Sequence, residues 1–167
     1  VGDANRPLTL GFWGRGDLIG AEALLGGAML SDAEAYEECV LLQLPSAALK
    51  EWMAKDIGLA RGFAAFEGRR RTRLQQRMED LVARTAIERL ASVMVGLGQQ
   101  FGVRDSRGTI VNLRVTHREL AGLIGATRET VSFAMGDLRH REFIETDGKR
   151  VVILDKSGLQ KLATGVQ

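Results

Sequence analysis

The sequence predicts an α+β protein, and three observations along the chain support this fold class. Short apolar runs separated by glycines fill the first third, which favours a small antiparallel β-structure. The longest periodic stretch follows and predicts one long helix. The last half combines two short helical segments around a glycine with a β-hairpin pattern. We therefore expect three regions, at residues 1–57, 58–82 and 83–167.

Composition narrows the functional classes. With 167 residues, the chain is long enough to bury a core. Its 23 Lys and Arg against 21 Asp and Glu leave a formal charge of +2, so a nucleic-acid site must come from the placement of charges and not from their total. Cys39 is the single cysteine, which excludes an internal disulfide and a four-thiolate metal centre.

Hydropathy and motif content bear on location and catalysis. No apolar stretch reaches the roughly 20 residues that span a bilayer, and the first residues lack the apolar run of a signal peptide. We therefore expect a cytoplasmic protein with no membrane partner. No nucleophile with a neighbouring base, no metal-ligand spacing and no phosphate-binding loop is recognisable, so the sequence does not favour an enzyme.

The first third predicts strands that lack a complete set of neighbours. Candidate strands are Leu8–Trp13 and Cys39–Leu44, with turns at Gly14–Asp17 and Gly26–Gly27. This stretch is too short to close a barrel, so its open edges require cover from further sequence or from a partner. Because the chain opens with Val1, as though midway through a strand, we expect a truncated N-terminus.

Helical patterns occupy the middle of the chain. Ser46 is the expected N-cap of a short helix that runs through Trp52 and Met53. The long helix that follows carries a narrow apolar stripe with one stutter, flanked by arginines. Such a stripe on a charged helix favours pairing with a second helix over burial within a domain. The expected homodimer seam consists of Leu59, Phe63, Phe66, Arg70, Leu74, Met78 and Leu81.

A second helix and a strand lead into the last part of the chain. The helix has a broader apolar face and ends near Gly98–Gly102. Arg104–Gly108 is expected to be a turn, and Ile110–Val115 alternates as a short strand. The face of the second helix is formed by Ala86, Ile87, Leu90, Val93, Met94 and Leu97.

Two helical segments around Gly125 fit a helix-turn-helix. Thr116, followed three residues later by Glu119, is the capping-box arrangement that starts a helix. Gly125 suits the sharp turn because glycine adopts positive φ without steric cost. Thr127 is the expected cap of the second helix. The buried positions of the motif then fall on Leu120, Ala121, Ile124, Val131 and Ala134.

With the buried face assigned, the second helix presents a polar outward face. Its Arg128 suits guanine O6 and N7 through a planar fork, and its Glu129 suits the cytosine amino group. Hydroxyls and amides at the two helix starts suit phosphate contacts. His117 is equally consistent with a phosphate contact and with an ordinary surface residue. The predicted DNA contacts of the helices are Thr116, His117, Thr127, Arg128, Glu129, Ser132, Phe133 and Arg139.

A β-hairpin completes this module. Asp147-Gly148 between two apolar runs is a strong two-residue hairpin signal. It places Lys149 and Arg150 near the tip. Basic residues on a wing beside a recognition helix are suited to the phosphate backbone, so we expect both to contact DNA.

The stretch Thr116–Ile153 resembles the winged helix-turn-helix of the cyclic-AMP receptor protein and fumarate-nitrate regulator (CRP/FNR) superfamily. The resemblance rests on Gly-Ala-Thr-Arg-Glu-Thr-Val-Ser at 125–132, Gly-Asp-Leu-Arg at 136–139 and the Gly-Lys hairpin. The long helix and Gly14–Gly20 are similar to that family's dimerisation helix and effector-domain β-roll, which implies a partial β-roll here. Phe101-Gly102-Val103 and the Gly-Ala-Thr-Arg turn are similar to the nitrogen-control branch.

The resemblance implies a sequence-specific transcription regulator that acts as a homodimer on palindromic double-stranded DNA, with RNA polymerase as a further partner. It also implies a small-molecule effector that shifts the orientation of the DNA-binding modules through the long helices. The residues of the implied effector site are Gly20, Ala21, Glu22, Ser31 and Arg70.

The sequence departs from the family pattern at functionally important positions. Some family members read DNA with a Glu and an Arg that lie one helical turn apart. This chain has Phe133 at the position of that Arg. We therefore expect an altered base preference, in which the Phe133 ring contacts a thymine methyl group. Leu30-Ser31 replaces the Arg-Ser pair of cyclic-nucleotide members, which argues against a cyclic nucleotide. Cys39 alone, with His117 and His140 in the DNA module, does not support an iron–sulfur cluster or haem, so no cofactor is expected.

Two alternative functions remain open. The first is a regulator that needs no effector. The second is a winged-helix module that contacts proteins. Such modules usually lack a polar outward face on the second helix, whereas Arg128, Glu129 and Ser132 supply one here. The sequence therefore favours DNA binding.

Overall fold

The computed structural model describes residues 8–148 and 150–165. The chain divides into two compact units. One unit is Arg15–Gln75, and the other combines the segment up to Gly14 with the chain from Gln76 onward. The long helix contributes residues to both units.

The unit Arg15–Gln75 is built from helical elements. A short 3₁₀ helix spans Ala21–Leu25, helix α1 spans Ser46–Lys55 and helix α2, Ile57–Ala83, begins here. The predicted N-cap Ser46 is instead the first residue of α1, because the carbonyl of Pro45 accepts the first helical hydrogen bond from the Leu49 amide at 3.1 Å. Before α2, the Asp56 carboxylate accepts from the amides of the next turn.

The strands predicted in the first third are not formed. Between residues 8 and 101, all of which the structure describes, the chain contains helices, turns and irregular segments but no strand. Val40 in the predicted strand Cys39–Leu44 is fully exposed at 101%. The predicted strand Leu8–Trp13 instead follows the other unit, where the Thr9 amide donates to the Gly122 carbonyl at 3.3 Å. A strand requires a regular ladder of hydrogen bonds to a neighbouring strand, and the sheet of the described residues contains neither of these segments.

The described residues of the second unit form four helices in addition to the end of α2. Helix α3 is Ala86–Phe101, α4 is His117–Ile124, α5 is Arg128–His140 and α6 is Lys156–Thr164. Thr85 starts α3 with a capping box, in which the Glu88 carboxylate accepts from the Thr85 amide at 2.8 Å. Helix α6 was not predicted, although Asp155 caps it by accepting from the Gly158 amide at 2.9 Å.

A four-stranded antiparallel sheet carries the β part of the α+β fold. Its strands are β1 (Gly102–Asp105), β2 (Gly108–Val111), β3 (Ile144–Asp147) and β4 (Arg150–Ile153), in the order β1-β2-β4-β3. The confirmed α+β class therefore comes from the second half of the chain.

The strand predicted at Ile110–Val115 starts two residues earlier and ends at Val111. It pairs with β1, where the sequence predicted the end of a helix and a turn. The close approach of β2 to β4 explains the glycine at its start. A Cβ on Gly108 would lie 2.1 Å from the Ile153 carbonyl oxygen, so a larger residue at this position would push the two strands apart.

The core of this unit surrounds α3. Leu90 and Ala91 of α3 are fully buried, and α5 and α6 pack against this helix. The five motif positions predicted to be buried all lie in the core, which confirms the assigned inner face of the helix-turn-helix. These five are Leu120, Ala121, Ile124, Val131 and Ala134.

Polar side chains tie the end of α2 to the core. The buried Asp80 carboxylate pairs with Arg84 at 2.9 Å and accepts from the Ser92 hydroxyl of α3 at 3.3 Å. Arg89 of α3 donates from Nη1 to the Arg84 carbonyl at 2.6 Å and from Nε to the Ile124 carbonyl at 2.8 Å. One guanidinium thus joins the chain after α2 to the last turn of α4.

We predict that Arg89→Met lowers the stability of the protein. The substitution keeps an aliphatic stem of similar size but removes both hydrogen bonds from a charged donor, leaving two carbonyls without their partner. A loss of about 1.5–3 kcal/mol in the free energy of unfolding is expected. Urea unfolding followed by far-UV circular dichroism measures it, with the exposed Arg118→Met as the matched control. Equal midpoints for the two variants would contradict the bridging role of Arg89.

Candidate nucleic-acid interface

Helix α4 begins with the predicted capping box. The Thr116 hydroxyl accepts from the Glu119 amide at 3.3 Å, and Glu119 Oε2 accepts from the Thr116 amide at 2.7 Å. Each side chain satisfies an amide that the first helical turn leaves without a partner. The predicted capping box at Thr116 is therefore confirmed, and its DNA contact stays a prediction.

A left-handed glycine ends α4 and turns the chain into α5. Gly125 has φ 62° and ψ 43°, and its neighbour Ala126 donates its amide to the Ala121 carbonyl at 3.0 Å. The hydroxyl of Thr127 then accepts from the Thr130 amide at 3.1 Å and caps α5. These contacts confirm the turn and both helix boundaries that the sequence predicted around Gly125.

The outward face of α5 follows from its buried face. Val131 and Leu138 are fully buried, and Ala134 and Met135 are nearly so. Because helical side chains repeat every 3.6 residues, the intervening positions face away from the core. Exposed side chains on that side are Arg128, Glu129, Ser132, Phe133 and Arg139, with Phe133 at 82% exposure.

His117 and Ser132 connect α4 and α5 on this side. His117 Nδ1 lies 2.8 Å from Ser132 Oγ, which in turn donates to the Arg128 carbonyl at 3.0 Å. Burial lowers the pKa of His117 below its ordinary value, and the positive charges of Arg128 and Arg139 lower it further. Three groups able to carry positive charge therefore lie within electrostatic reach of one another.

The predicted hairpin is present as β3 and β4. Asp147 and Arg150 face each other in the ladder, and Gly148 has φ 61°. This hairpin confirms the pattern that the sequence analysis identified at Asp147-Gly148. Arg150 is exposed on β4, whereas the predicted contact Lys149 lies outside the described residues.

Arg107 ties the hairpin to the rest of the sheet, and the sequence analysis missed it. Its guanidinium pairs with Asp105 at 2.9 Å, with Asp147 at 2.8 Å and with Glu145 at 3.7 Å. Hydrogen bonds to Asp147 and Asp105 raise the pKa of Arg107, and those from Arg107 lower the pKa of Asp105. The β1–β2 turn and the β3–β4 hairpin are thereby joined by one cation.

Arg114 is a second residue that the sequence analysis missed. It lines a cleft of about 370 Å³ together with Ile110, Asp147, Gly148 and Arg150. Its position two residues before the helix cap Thr116 was the available signal, since basic residues beside a helix N-terminus often face the same anion. The cleft brings two arginines to the side of the wing.

The residues of the predicted dimer seam lie along the surface of α2. In the unit Arg15–Gln75, Leu59 and Leu74 are exposed, Phe63 and Phe66 are half-buried and Arg70 pairs with Glu67 at 3.9 Å. In the other unit, Met78 is 67% exposed and Leu81 is exposed. The seam remains a predicted interface.

The residues of the implied effector site lie on three separate segments of the unit Arg15–Gln75. Gly20, with φ 81°, precedes the 3₁₀ helix that contains Ala21 and Glu22. Ser31 is exposed on the following segment, and Arg70 lies on α2. The Glu22 Oε2 atom is buried without a hydrogen-bond partner among the described residues. These five residues remain a predicted site.

The described residues contain no cluster of three or more His, Cys, Asp or Glu side chains positioned to bind a metal ion. Within the same part of the chain, none of the helices combines the length and the apolar character needed to cross a membrane.

Comparison with known families identifies the second unit. Residues 88–162 match the family model of the Crp-like helix-turn-helix domain. The matched stretch contains α4, the Gly125 turn, α5 and the hairpin described above.

Three characterised relatives extend the similarity over nearly the whole chain. The CRP-like cAMP-activated global transcriptional regulator of Mycobacterium tuberculosis is 30% identical over 159 residues, which cover 95% of this chain and 71% of the relative. The transcriptional regulator SdrP of Thermus thermophilus is 30% identical over 165 residues, covering 98% and 77%. The global nitrogen regulator of Nostoc is 29% identical over 161 residues, covering 92% and 70%. The identity to the nitrogen regulator is no higher than the identity to the other two relatives, so these comparisons do not favour the nitrogen-control branch.

Solved structures share the fold. A CRP/FNR-family transcriptional regulator of Thermus thermophilus aligns with a TM-score of 0.58 at 26% identity, over 65% of this chain and 56% of that chain. A CooA mutant of Carboxydothermus hydrogenoformans aligns with a TM-score of 0.63 at 20% identity, over 70% of this chain and 54% of that chain. The aligned part thus spans little more than half the length of these solved chains.

We predict opposite stability effects for two glycine substitutions in the helix-turn-helix. Gly125→Ala forces an alanine into the left-handed region and places its Cβ 2.8 Å from Leu81 Cδ2, so a loss of about 1–2 kcal/mol is expected. Gly136→Ala within α5 meets no atom within 4 Å, so a gain of up to about 1 kcal/mol is expected. Urea unfolding of both variants tests the assignment, and a neutral Gly125→Ala would contradict the left-handed turn.

Proposed function

Because this chain belongs to the CRP/FNR superfamily of transcription regulators, we propose that it binds a specific palindromic DNA site as a homodimer. Each protomer would place α5 in the major groove. The observation that carries this proposal is the exposed polar face of α5, with Arg128, Glu129 and Ser132 turned away from the core. Transcription control in this family requires such a surface.

Base recognition is assigned to the first turns of α5. Arg128 offers two parallel donors that match guanine O6 and N7, and Glu129 accepts from the cytosine amino group, so the pair suits G·C base pairs. The exposed Phe133 ring, one turn further along, provides an apolar surface for a thymine methyl group. This combination supports a base preference different from that of members with arginine at the position of Phe133.

Phosphate contacts would fix the register of α5 in the groove. The capped starts of α4 and α5 place Thr116 and Thr127 at helix N-termini, where the helix dipole favours anions. Arg139 adds positive charge on the same side, and His117 adds it when its ring is protonated. On the wing, Arg150 and Lys149 are assigned to the backbone of the flanking groove.

Dimerisation is assigned to the seam on α2. Six of its seven residues are apolar, and several remain exposed in the single chain, which supports a partner helix over a solvated surface. Two-fold pairing would separate the two α5 helices by about 34 Å, the spacing of successive major grooves on one face of DNA. The functional regions would then be residues 1–57, 58–82 and 83–167.

Regulation by a small molecule other than a cyclic nucleotide is the finer part of the proposal. The Mycobacterium tuberculosis relative is named as cAMP-activated, but this chain has the exposed Leu30 beside Ser31 and no arginine there. The assigned effector residues are Gly20, Ala21, Glu22, Ser31 and Arg70. A cytoplasmic location and a contact with RNA polymerase complete the proposal.

We expect Arg128→Ala to weaken binding to the preferred DNA and to relax the base preference at one position. The loss of a bidentate contact corresponds to about 1–3 kcal/mol, or a roughly 5- to 150-fold rise in Kd. The measurement is in-vitro selection from a random duplex library, followed by mobility shift on the recovered duplex. Arg141→Ala is the matched control, because Arg141 is held by Asp137 at 3.0 Å.

The same experiment separates the alternatives. A module that contacts proteins would yield no enriched duplex and would be indifferent to Arg128→Ala. A regulator without an effector would recover the same duplex at equal affinity with and without cell metabolites. Enrichment of one palindrome that depends on Arg128 supports the proposed function.

We predict that Phe66→Glu converts the dimer to a monomer. The charge falls in the middle of the seam, where it would have to be buried against the partner helix at a cost of several kcal/mol. Sedimentation velocity over a concentration series measures the mass. Ala65→Glu, one residue away on an exposed position, is expected to remain dimeric. An intact Phe66→Glu dimer would place the interface elsewhere.

A further inference from the structure

The contact between His117 and Ser132 determines the position of a hydrogen atom. Ser132 Oγ lies 3.0 Å from the Arg128 carbonyl and 2.8 Å from His117 Nδ1. A hydroxyl has one hydrogen, and a carbonyl oxygen only accepts, so that hydrogen points to Arg128. The Ser132 oxygen must then accept from His117, which makes Nδ1 a donor.

Because Nδ1 carries a hydrogen, the charge of the His117 ring depends on whether Nε2 carries one as well. In the neutral ring, with the proton on Nδ1, Nε2 is an acceptor and repels a phosphate oxygen. In the charged ring, Nε2 also carries a hydrogen and donates. Only the protonated form of His117 therefore makes a favourable contact with a nucleic-acid backbone through this atom.

The charges around His117 are mainly positive. Arg128 and Arg139 of α5 lie close enough to the ring to lower its pKa electrostatically. On its own helix, its neighbours are Arg118 and Glu119, and the Glu119 carboxylate is engaged with the Thr116 amide and hydroxyl at 2.7 Å. Glu129 is the acidic residue in the first turn of α5. An anion beside His117 would thus lie near the positive charges of Arg128 and Arg139, and near that of His117 itself when its ring is protonated.

We propose that His117 is a proton-dependent contact to the DNA phosphate backbone and that Ser132 is its positioning residue, not a reader of bases. This inference rests on the proposed DNA binding. It narrows the predicted DNA contact of Ser132 to an indirect one, because the single hydrogen of that hydroxyl is donated to the Arg128 carbonyl and one of its two lone pairs accepts from His117.

The proposal requires that DNA binding take up protons. In the free protein, burial and then Arg128 and Arg139 hold the pKa of His117 below its ordinary value, so the ring is neutral near pH 7. A phosphate at Nε2 favours the charged ring and raises its pKa in the complex. Affinity therefore rises as pH falls through the pKa of the complex and levels off below the pKa of the free protein. The slope is at most about tenfold per pH unit for each His117 that binds a proton.

The test is a pH series of DNA affinity. Fluorescence anisotropy with a labelled duplex recovered by in-vitro selection, at constant ionic strength between about pH 5.5 and 8, gives Kd for each variant. Wild-type Kd is expected to fall by several-fold to a hundredfold per dimer across this range. His117→Gln should flatten the profile. His140→Gln, which alters the only other histidine of the chain, should keep it.

Two further variants distinguish this role from a structural one. His117→Arg carries a permanent charge and should bind with a flat profile at the tight affinity that the wild type reaches at low pH. Ser132→Ala should reduce the pH slope while the selected base preference stays the same. A changed base preference in Ser132→Ala would instead make Ser132 a reader of bases and overturn its assignment here.

The outcomes separate this inference from the proposed function. No duplex binding by the wild type at any pH would refute the proposed function itself. Tight binding with the same pH slope in wild type and His117→Gln would overturn the proton-linked contact alone. Circular dichroism confirms that each variant is folded, and the charged His117→Arg keeps the test decisive if His117→Gln unfolds.

Discussion

The packing of α5 against α3 and α4 is the constraint on which the site depends. Val131 and Leu138 are fully buried and Ala134 nearly so, and the helical period then determines every outward position. The left-handed turn at Gly125 sets where α5 begins, and the Thr127 hydroxyl caps its first turn. The exposed face with Arg128 and Glu129 is thus a consequence of core packing, and chemistry suited to DNA is presented on a rigid helix.

A second constraint connects this core to the long helix. The buried Asp80 holds Arg84 and the Ser92 hydroxyl, and Arg89 holds two backbone carbonyls, one after α2 and one at the end of α4. Hydrogen bonds from a charged donor to half-buried carbonyls are costly to break. The end of α2 and the last turn of α4 are therefore joined through defined polar contacts.

Short-range chemistry accounts for the elements that the sequence predicted well. The capping box at Thr116, the glycine turn at Gly125, the cap at Thr127 and the hairpin signal at Asp147-Gly148 each act within about four residues. Helix and turn formation of this kind is decided by local hydrogen bonds and backbone freedom. Helix α6 was missed although its cap Asp155 was present in the sequence, because the short apolar face that buries Leu159 and Ala163 was not identified.

The sequence by itself determined the two helices around Gly125, their caps, the buried face of the motif and hence the outward residues of α5. Tertiary structure alone decided which distant groups meet: His117 with Ser132, Arg107 with Asp147, and β1 with β2 in place of a single strand. It also decided that the predicted strand around Val40 is not formed, since strand pairing needs a neighbour that no local pattern supplies. The reason is range: periodicity and capping act over one helical turn, whereas ion pairs and sheet ladders join residues brought together only by folding.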